Sequence, residues 1–266
     1  MFKRIVHILL IWGACKGSLF SLRAQTENVK ERSVAWSVLP VISAYTALGS
    51  VWYKGFETTS FHFFNDAGEW AGVDKLGHAF SAQITAEAVS AFHPQLSTLQ
   101  ASLLGFAYVS GIEVLDGFAK DWGASVSDLA ANAFGSSLFF LRTEKELPLY
   151  LKWSYFPSPS SAAKNERLLG GNGVEQILKN YNAQQYWLSY PLLKSKWGSW
   201  AIALGRGAQD FISARDGSGY FSLSIDFLPN SQAPWFVQWL KYIKLPLPAA
   251  HFDARGVGFS FLGSPD

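Results

Sequence analysis

The sequence predicts a mainly α fold, a compact bundle of about four apolar helices followed by a small antiparallel β-rich module, so that the whole is α+β. Three observations lead there. Four stretches, 33–53, 73–92, 96–118 and 127–141, are apolar, rich in Ala, Gly and Ser, and of helical length. A passage rich in Pro, Ser and Gly interrupts the chain between 142 and 180. Beyond it, apolar residues recur at every second position, which is the period of a strand.

The elements follow in order. Lys3 and Arg4 precede an apolar run to Cys15, and a second run ends near Ala24 and Gln25, so residues 1–25 read as a signal peptide or N-terminal anchor. Around Cys15 the sequence loosely resembles a lipid-attachment box, with Trp12 where Leu is expected. The stretch 33–53 holds 21 residues without a formal charge, long enough to cross a bilayer, although Pro40 and several hydroxyl residues equally suit a buried or interfacial helix. In the next three helices, Gly77, Gly105, Gly111 and Gly135 mark points of close helix approach. Pro94 separates the second helix from the third, and Ser125 or Ser127 is placed to cap the fourth. Residues 26–145 therefore form the bundle and 146–180 a linker.

The remaining segment, 181–266, is the β-rich module. Trp200, Ile202 and Leu204 alternate with small residues, as do Phe221, Leu223, Ile225 and Phe227, and then Val257, Phe259 and Phe261. Between the first two sets, Arg215-Asp216-Gly217-Ser218-Gly219 supplies turn chemistry. Trp235, Phe236, Trp239, Leu240 and Ile243 stand at helical spacing, which predicts an amphipathic helix over 235–244, lying on the sheet or in a membrane interface.

Composition narrows the function. Charged residues make up 16% of the chain, against roughly 25% in soluble domains, while aromatic residues reach 16%. That balance suits partial contact with lipid. The net charge of +2 comes without a basic stripe, which excludes a nucleic-acid partner. A single cysteine leaves no disulfide framework.

The candidate site lies on the helices. Asp74 and His78, Glu113 and Asp116, and Asp128 and Asn132 are pairs spaced three or four residues apart, so each pair shares a helical face. Carboxylates on apolar helices are costly unless paired, so the three faces should converge, with Lys75 as counter-charge. Three readings stay open. The groups could hold a metal, Glu113 or Asp116 could act with His78 as acid and base, or all could serve only to fasten the helices. The sequence names no cofactor, and Gly205-Arg206-Gly207 lacks the context of a dinucleotide site.

Several blocks resemble a known family. Phe63-Phe64-Asn65-Asp66, Glu69-Trp70, the run from Asp74 to Phe80, the run from Ile112 to Phe118, the run from Asp121 to Ser125, the run from Asp128 to Asn132, and Tyr186-Trp187-Leu188-Ser189 are similar to an uncharacterised family of periplasmic lipoproteins. Asp74, Lys75, His78, Glu113, Asp128 and Asn132 also resemble, more faintly, the pattern of the VanZ-like membrane family. These resemblances imply an exported, membrane-associated envelope protein. The leading expectation is non-enzymatic, with the polar pocket binding a membrane lipid or cell-wall component or supporting the envelope. The alternative is a membrane-embedded hydrolase or metal-dependent enzyme acting on a lipid-linked substrate. An outer-membrane protein is a further possible partner, through strand edges of the β-rich module.

Overall fold

A computed structural model describes residues 57–157 and 164–260. The signal segment, Cys15, the apolar stretch 33–53 and Phe261 lie outside the described residues. Among the described residues three long helices come first: α1 (Val73–Phe92), α2 (Thr98–Asp116) and α3 (Val126–Glu144). Strand β1 (Tyr150–Tyr155) follows, then two short helices, α4 (Glu166–Leu169) and α5 (Gly173–Lys179). The chain ends in β2 (Gln184–Ser195), β3 (Gly198–Gln209), β4 (Ser218–Pro229), β5 (Ala249–Asp253) and β6 (Gly256–Ser260).

The helices begin and meet where the sequence places caps and small residues. Ser97 and Gln100 form a capping box at the start of α2, and the Ser125 hydroxyl accepts from the Asp128 amide at the start of α3. A Cβ on Gly105 would lie 2.7 Å from the Cβ of Ala86 on α1, and one on Gly135 would collide with the Ala79 carbonyl. Both glycines therefore permit the close contact of α1 with its neighbours. Gly77 approaches a different element, the hydroxyl of Tyr186 on β2. By length and composition α2 could cross a membrane, and among the described residues it alone meets that criterion.

The expectation of a mainly α fold is corrected by the sheet. Among the described residues six strands form one antiparallel meander in sequence order, so this part of the chain is helical first and then mostly β. Alternation revealed β3, β4 and β6 but neither β1 nor the start of β2. There both faces are covered. Tyr186 and Leu188 pack with the helices, alongside Leu151 of β1, while Gln185 and Trp187 are buried on the other side. A strand buried on both faces carries no period-two signal. Strand β1 also lies inside the stretch 146–180 read as a linker.

The helix expected over 235–244 is reduced to one 3-10 turn, Gln238–Lys241. The chain then leaves to pair with β1: the Trp153 amide donates to the Tyr242 carbonyl at 2.8 Å, and the Lys244 amide donates to the Trp153 carbonyl at 2.9 Å. These backbone bonds compete with helix continuation, and Pro246 and Pro248 follow directly.

The sheet is curled. The Lys152 ammonium on β1 donates to both oxygens of Asp226 on β4, at 2.8 and 2.7 Å, across β2 and β3. Three strand spacings in a flat sheet would put those strands about 14 Å apart. Ser189 also donates to Asp226, Gln185 donates to Ser222, and Ser222 contacts His251, so the concave side is a buried polar network.

A candidate cation site in an acidic cleft

The backbone enters the site through an unusual turn. Trp70 and Ala71 adopt left-handed conformations, with φ of 49° and 52°, immediately before α1. Such conformations are costly for residues with a Cβ and need support. The Trp70 amide donates to the Ala214 carbonyl, and Arg206 of β3 donates to the Ala71 carbonyl at 3.0 and 3.2 Å. The Trp70 ring packs on Tyr181 and Phe211. Contacts from the sheet thus fix the turn that aims Asp74 and Lys75.

Lys75 is the hub. Its ammonium lies 2.7 Å from Asp66, 2.9 Å from Asp74 and 2.8 Å from Asp128. His78, one turn further along α1, has Nε2 3.7 Å from Asp128 Oδ2 and Nδ1 3.6 Å from Glu113 Oε1. The same Nδ1 lies 3.3 Å from Asn132 Oδ1, and the Asn132 amide donates to Ser110 of α2. Six of the seven residues expected from sequence therefore meet: Asp74, Lys75, His78, Glu113, Asp128 and Asn132. Asp116 stands apart from this ring but lines the same cleft.

Asp66 belongs to one of the family-like blocks but not to the residues that helical spacing predicts for the site. It precedes α1, so no helical spacing links it to the rest. Its Oδ1 accepts from Ser125 at 2.5 Å and from Ser127 at 2.9 Å, tying the N-terminus of α3 to the strand-like segment before α1. Of the two caps the sequence offers, Ser125 and Ser127, Ser125 takes the N-cap position. In the structure its backbone amide also donates to Glu113 Oε2 at 2.9 Å. Asp74, in the first turn of α1, makes no capping hydrogen bond, and Gly72 occupies the N-cap position.

The cluster carries more acid than its surroundings readily neutralise. Burial pushes the Asp74 carboxyl up to about 7 in spite of Lys75. Burial, with the charge of Asp128 beside it, raises Glu113 to about 8. Burial also raises Asp128, although His78 and Lys75 pull the other way. His78 is lowered by burial, which the attraction of Asp128 offsets only in part. Burial acts upward on Asp66 too, but hydrogen bonds from Lys75, Ser125 and Ser127 hold it down to about 2.

The cleft opens past the aromatic side chains of Phe64, Trp70, Trp122 and Tyr181, and Arg167 stands at the lining with its partner Asp121. Two groups of ligand atoms lie within 4.8 Å of one another, His78 with Glu113 and Asp128, and Asp66 with Asp74 and Asp128. The first offers nitrogen and carboxylate oxygen, a set suited to zinc or manganese. In that group Glu113 Oε1 is buried without a hydrogen bond, which an incoming cation would relieve.

Comparison with known proteins finds a likeness in the helical part. The model of the family described as "Predicted periplasmic lipoprotein (DUF2279)" has its counterpart here. Residues 62–144 match that family. The matched stretch contains all seven expected site residues together with Asp66 and Ser125, and it ends where α3 ends. The match supports an exported, envelope-associated protein. The sheet falls outside it, and the VanZ-like likeness rests on the sequence blocks alone. No curated protein and no solved structure matches the chain.

Proposed function

We propose that the cleft of this envelope protein binds a divalent cation between His78, Glu113 and Asp128, and uses it to engage an anionic or carbonyl oxygen of an envelope substrate. The observation that carries this reading is the convergence of these three side chains, from three helices, with His78 and Asp128 lining the cleft and Glu113 buried behind them. A sealed interhelical contact would need no surplus of acid. Here Asp128 uses one oxygen on Lys75 and turns the other toward His78, while Glu113 uses one on the Ser125 amide and turns the other toward His78. A cation at that point would accept both unspent oxygens and one imidazole nitrogen, leaving further positions for water and substrate. It would act as a Lewis acid and lower the pKa of bound water, which is the chemistry of metal-assisted hydrolysis. The aromatic lining suits a substrate with an apolar portion beside its polar group.

The test is metal uptake by the full chain. Purified protein, stripped with chelator and dialysed against Zn2+ or Mn2+, is expected to retain about one equivalent, with binding read by calorimetry. His78→Ala and Asp128→Asn should each weaken it by at least about tenfold. Retention no greater than in the His78→Ala, Asp128→Asn double variant would refute the reading and leave the cluster as a helix fastening. Hydrolysis of envelope phospholipid by the loaded protein, lost in the same variants with the fold intact by circular dichroism, would establish turnover. Uptake of metal with no change in any envelope lipid would restrict the site to binding.

A further inference from the structure

The curled sheet is inverted in polarity. Its concave side holds Lys152, Asp226, Ser189, Gln185, Ser222 and His251, all buried. Its convex side, where it leaves the cover of the helices, presents Trp200, Ile202 and Leu204 from β3 and Phe221, Leu223 and Ile225 from β4, each between 42% and 55% exposed. A soluble sheet with one solvated face turns its polar residues outward. Polar side chains inside and apolar side chains outside is the arrangement of a sheet whose solvent is lipid.

We infer that the outer face of β3 and β4 is a lipid-contacting surface, seated in the hydrocarbon of a bilayer. Three further features agree with this occupant. Strand β3 is paired on one side with β4 throughout and on the other with β2 from Gly198 to Gly207, and β4 is paired with β5 from Phe221 to Ser224, so most backbone polarity under the apolar face is satisfied within the sheet. The alternating residues from Phe221 to Phe227 cover about 20 Å along the strand, comparable with the apolar band of a membrane barrel. At one end of the band the β2–β3 hairpin carries Lys194 and Lys196 beside exposed Leu192, Leu193 and Trp197, with Lys196 over the Trp197 ring. Cations next to a tryptophan match the anionic headgroups and the interfacial belt of a membrane. The inference does not depend on the cation site, which lies on the helices.

The experiment uses single-cysteine chains in a Cys15→Ser background, carrying Leu204→Cys, Ile225→Cys or Asp216→Cys labelled with an environment-sensitive fluorophore. They are mixed with vesicles of phosphatidylethanolamine and phosphatidylglycerol, with or without a nitroxide on the acyl chain. Labels at 204 and 225 should shift to the blue and be quenched by the acyl-chain nitroxide, whereas the label at 216, in the β3–β4 loop, should respond to a water-soluble quencher. Leu204→Glu with Ile225→Glu should reduce vesicle partition by about tenfold or more while circular dichroism is unchanged. Labels at 204 and 225 that stay open to the aqueous quencher in vesicles would overturn the inference. So would protection that grows with protein concentration in the absence of vesicles, since a second copy would then cover the face.

Discussion

Two lysines show how the same chemistry can serve opposite ends in one chain. Lys152 on β1 faces a single aspartate, Asp226, uses both of its oxygens, and is wholly sealed. Lys75 on α1 faces three aspartates with a fourth carboxyl and an imidazole behind them, and those three aspartates line a cleft. In the sheet, Lys152 is matched to Asp226 inside a sealed network that also holds the buried Lys244. In the helices, acid is in excess and oxygens are left over. The first arrangement is complete without a ligand. The second gains from one.

The sealed pair gives the largest predicted effect. Lys152→Met leaves Asp226 buried with only Ser189 to hydrogen-bond it, so the variant should lose about 3–5 kcal/mol in chemical denaturation. Lys152→Met with Asp226→Leu should recover part of that loss, because neither member of the pair is then left without the other, although the buried Lys244 loses the attraction of Asp226. Equal losses in the single and double variants would mean that shape, rather than charge matching, holds the curled sheet together.

The acid-rich cluster should respond to pH with the opposite sign from a well-paired carboxylate. Asp74 and Glu113 have folded-state pKa values raised to about 7 and about 8, so the folded protein binds more protons than the unfolded one across this range. Stability then falls as pH rises from 6 to 8. Lys75 attracts the charged form of Asp74, Asp128 and Asp66 repel the charged forms of both groups, Asp116 repels that of Glu113, and the lowered pKa of His78 opposes the trend. The net loss in metal-free protein should be on the order of 2 kcal/mol by thermal denaturation. Saturating Zn2+ should flatten the curve. A stability that rises over the same interval would show that the cluster is already compensated.

What the sequence disclosed follows the same division. Helical spacing made the pairs on α1, α2 and α3 legible, because residues three or four apart share a face wherever the helix packs. Asp66 escaped that logic, being on an extended segment whose position depends on Ser125 and Lys75 rather than on any period. In the sheet, β3 and β4 could be read because one face meets the protein and the other does not. β1 and the start of β2 could not, since helices cover one side and the polar network the other. The inversion was invisible for a related reason. Alternation shows that two faces differ, but only the curl, fixed by the Lys152 to Asp226 contact, shows which one is inside.

Ser125 offers the smallest effect and the finest separation of the two roles. Its hydroxyl caps α3 and donates to Asp66, while its backbone amide serves Glu113 and survives substitution. Ser125→Ala should cost about 1 kcal/mol, the ordinary value of a lost cap, and Ser97→Ala at the start of α2, in the capping box away from the cleft, should cost about the same. Their acid limbs should differ. Asp66 is held down to about 2 partly by the Ser125 hydroxyl, so it contributes stability that is present above the unfolded value near 3.8 and lost as pH falls toward 2. Ser125→Ala should raise the Asp66 value and shrink that contribution, whereas Ser97→Ala should shift the whole curve uniformly. Parallel curves for the two variants would reduce Ser125 to a helix cap, and the link it makes between the segment before α1 and the cleft would carry no energy of its own.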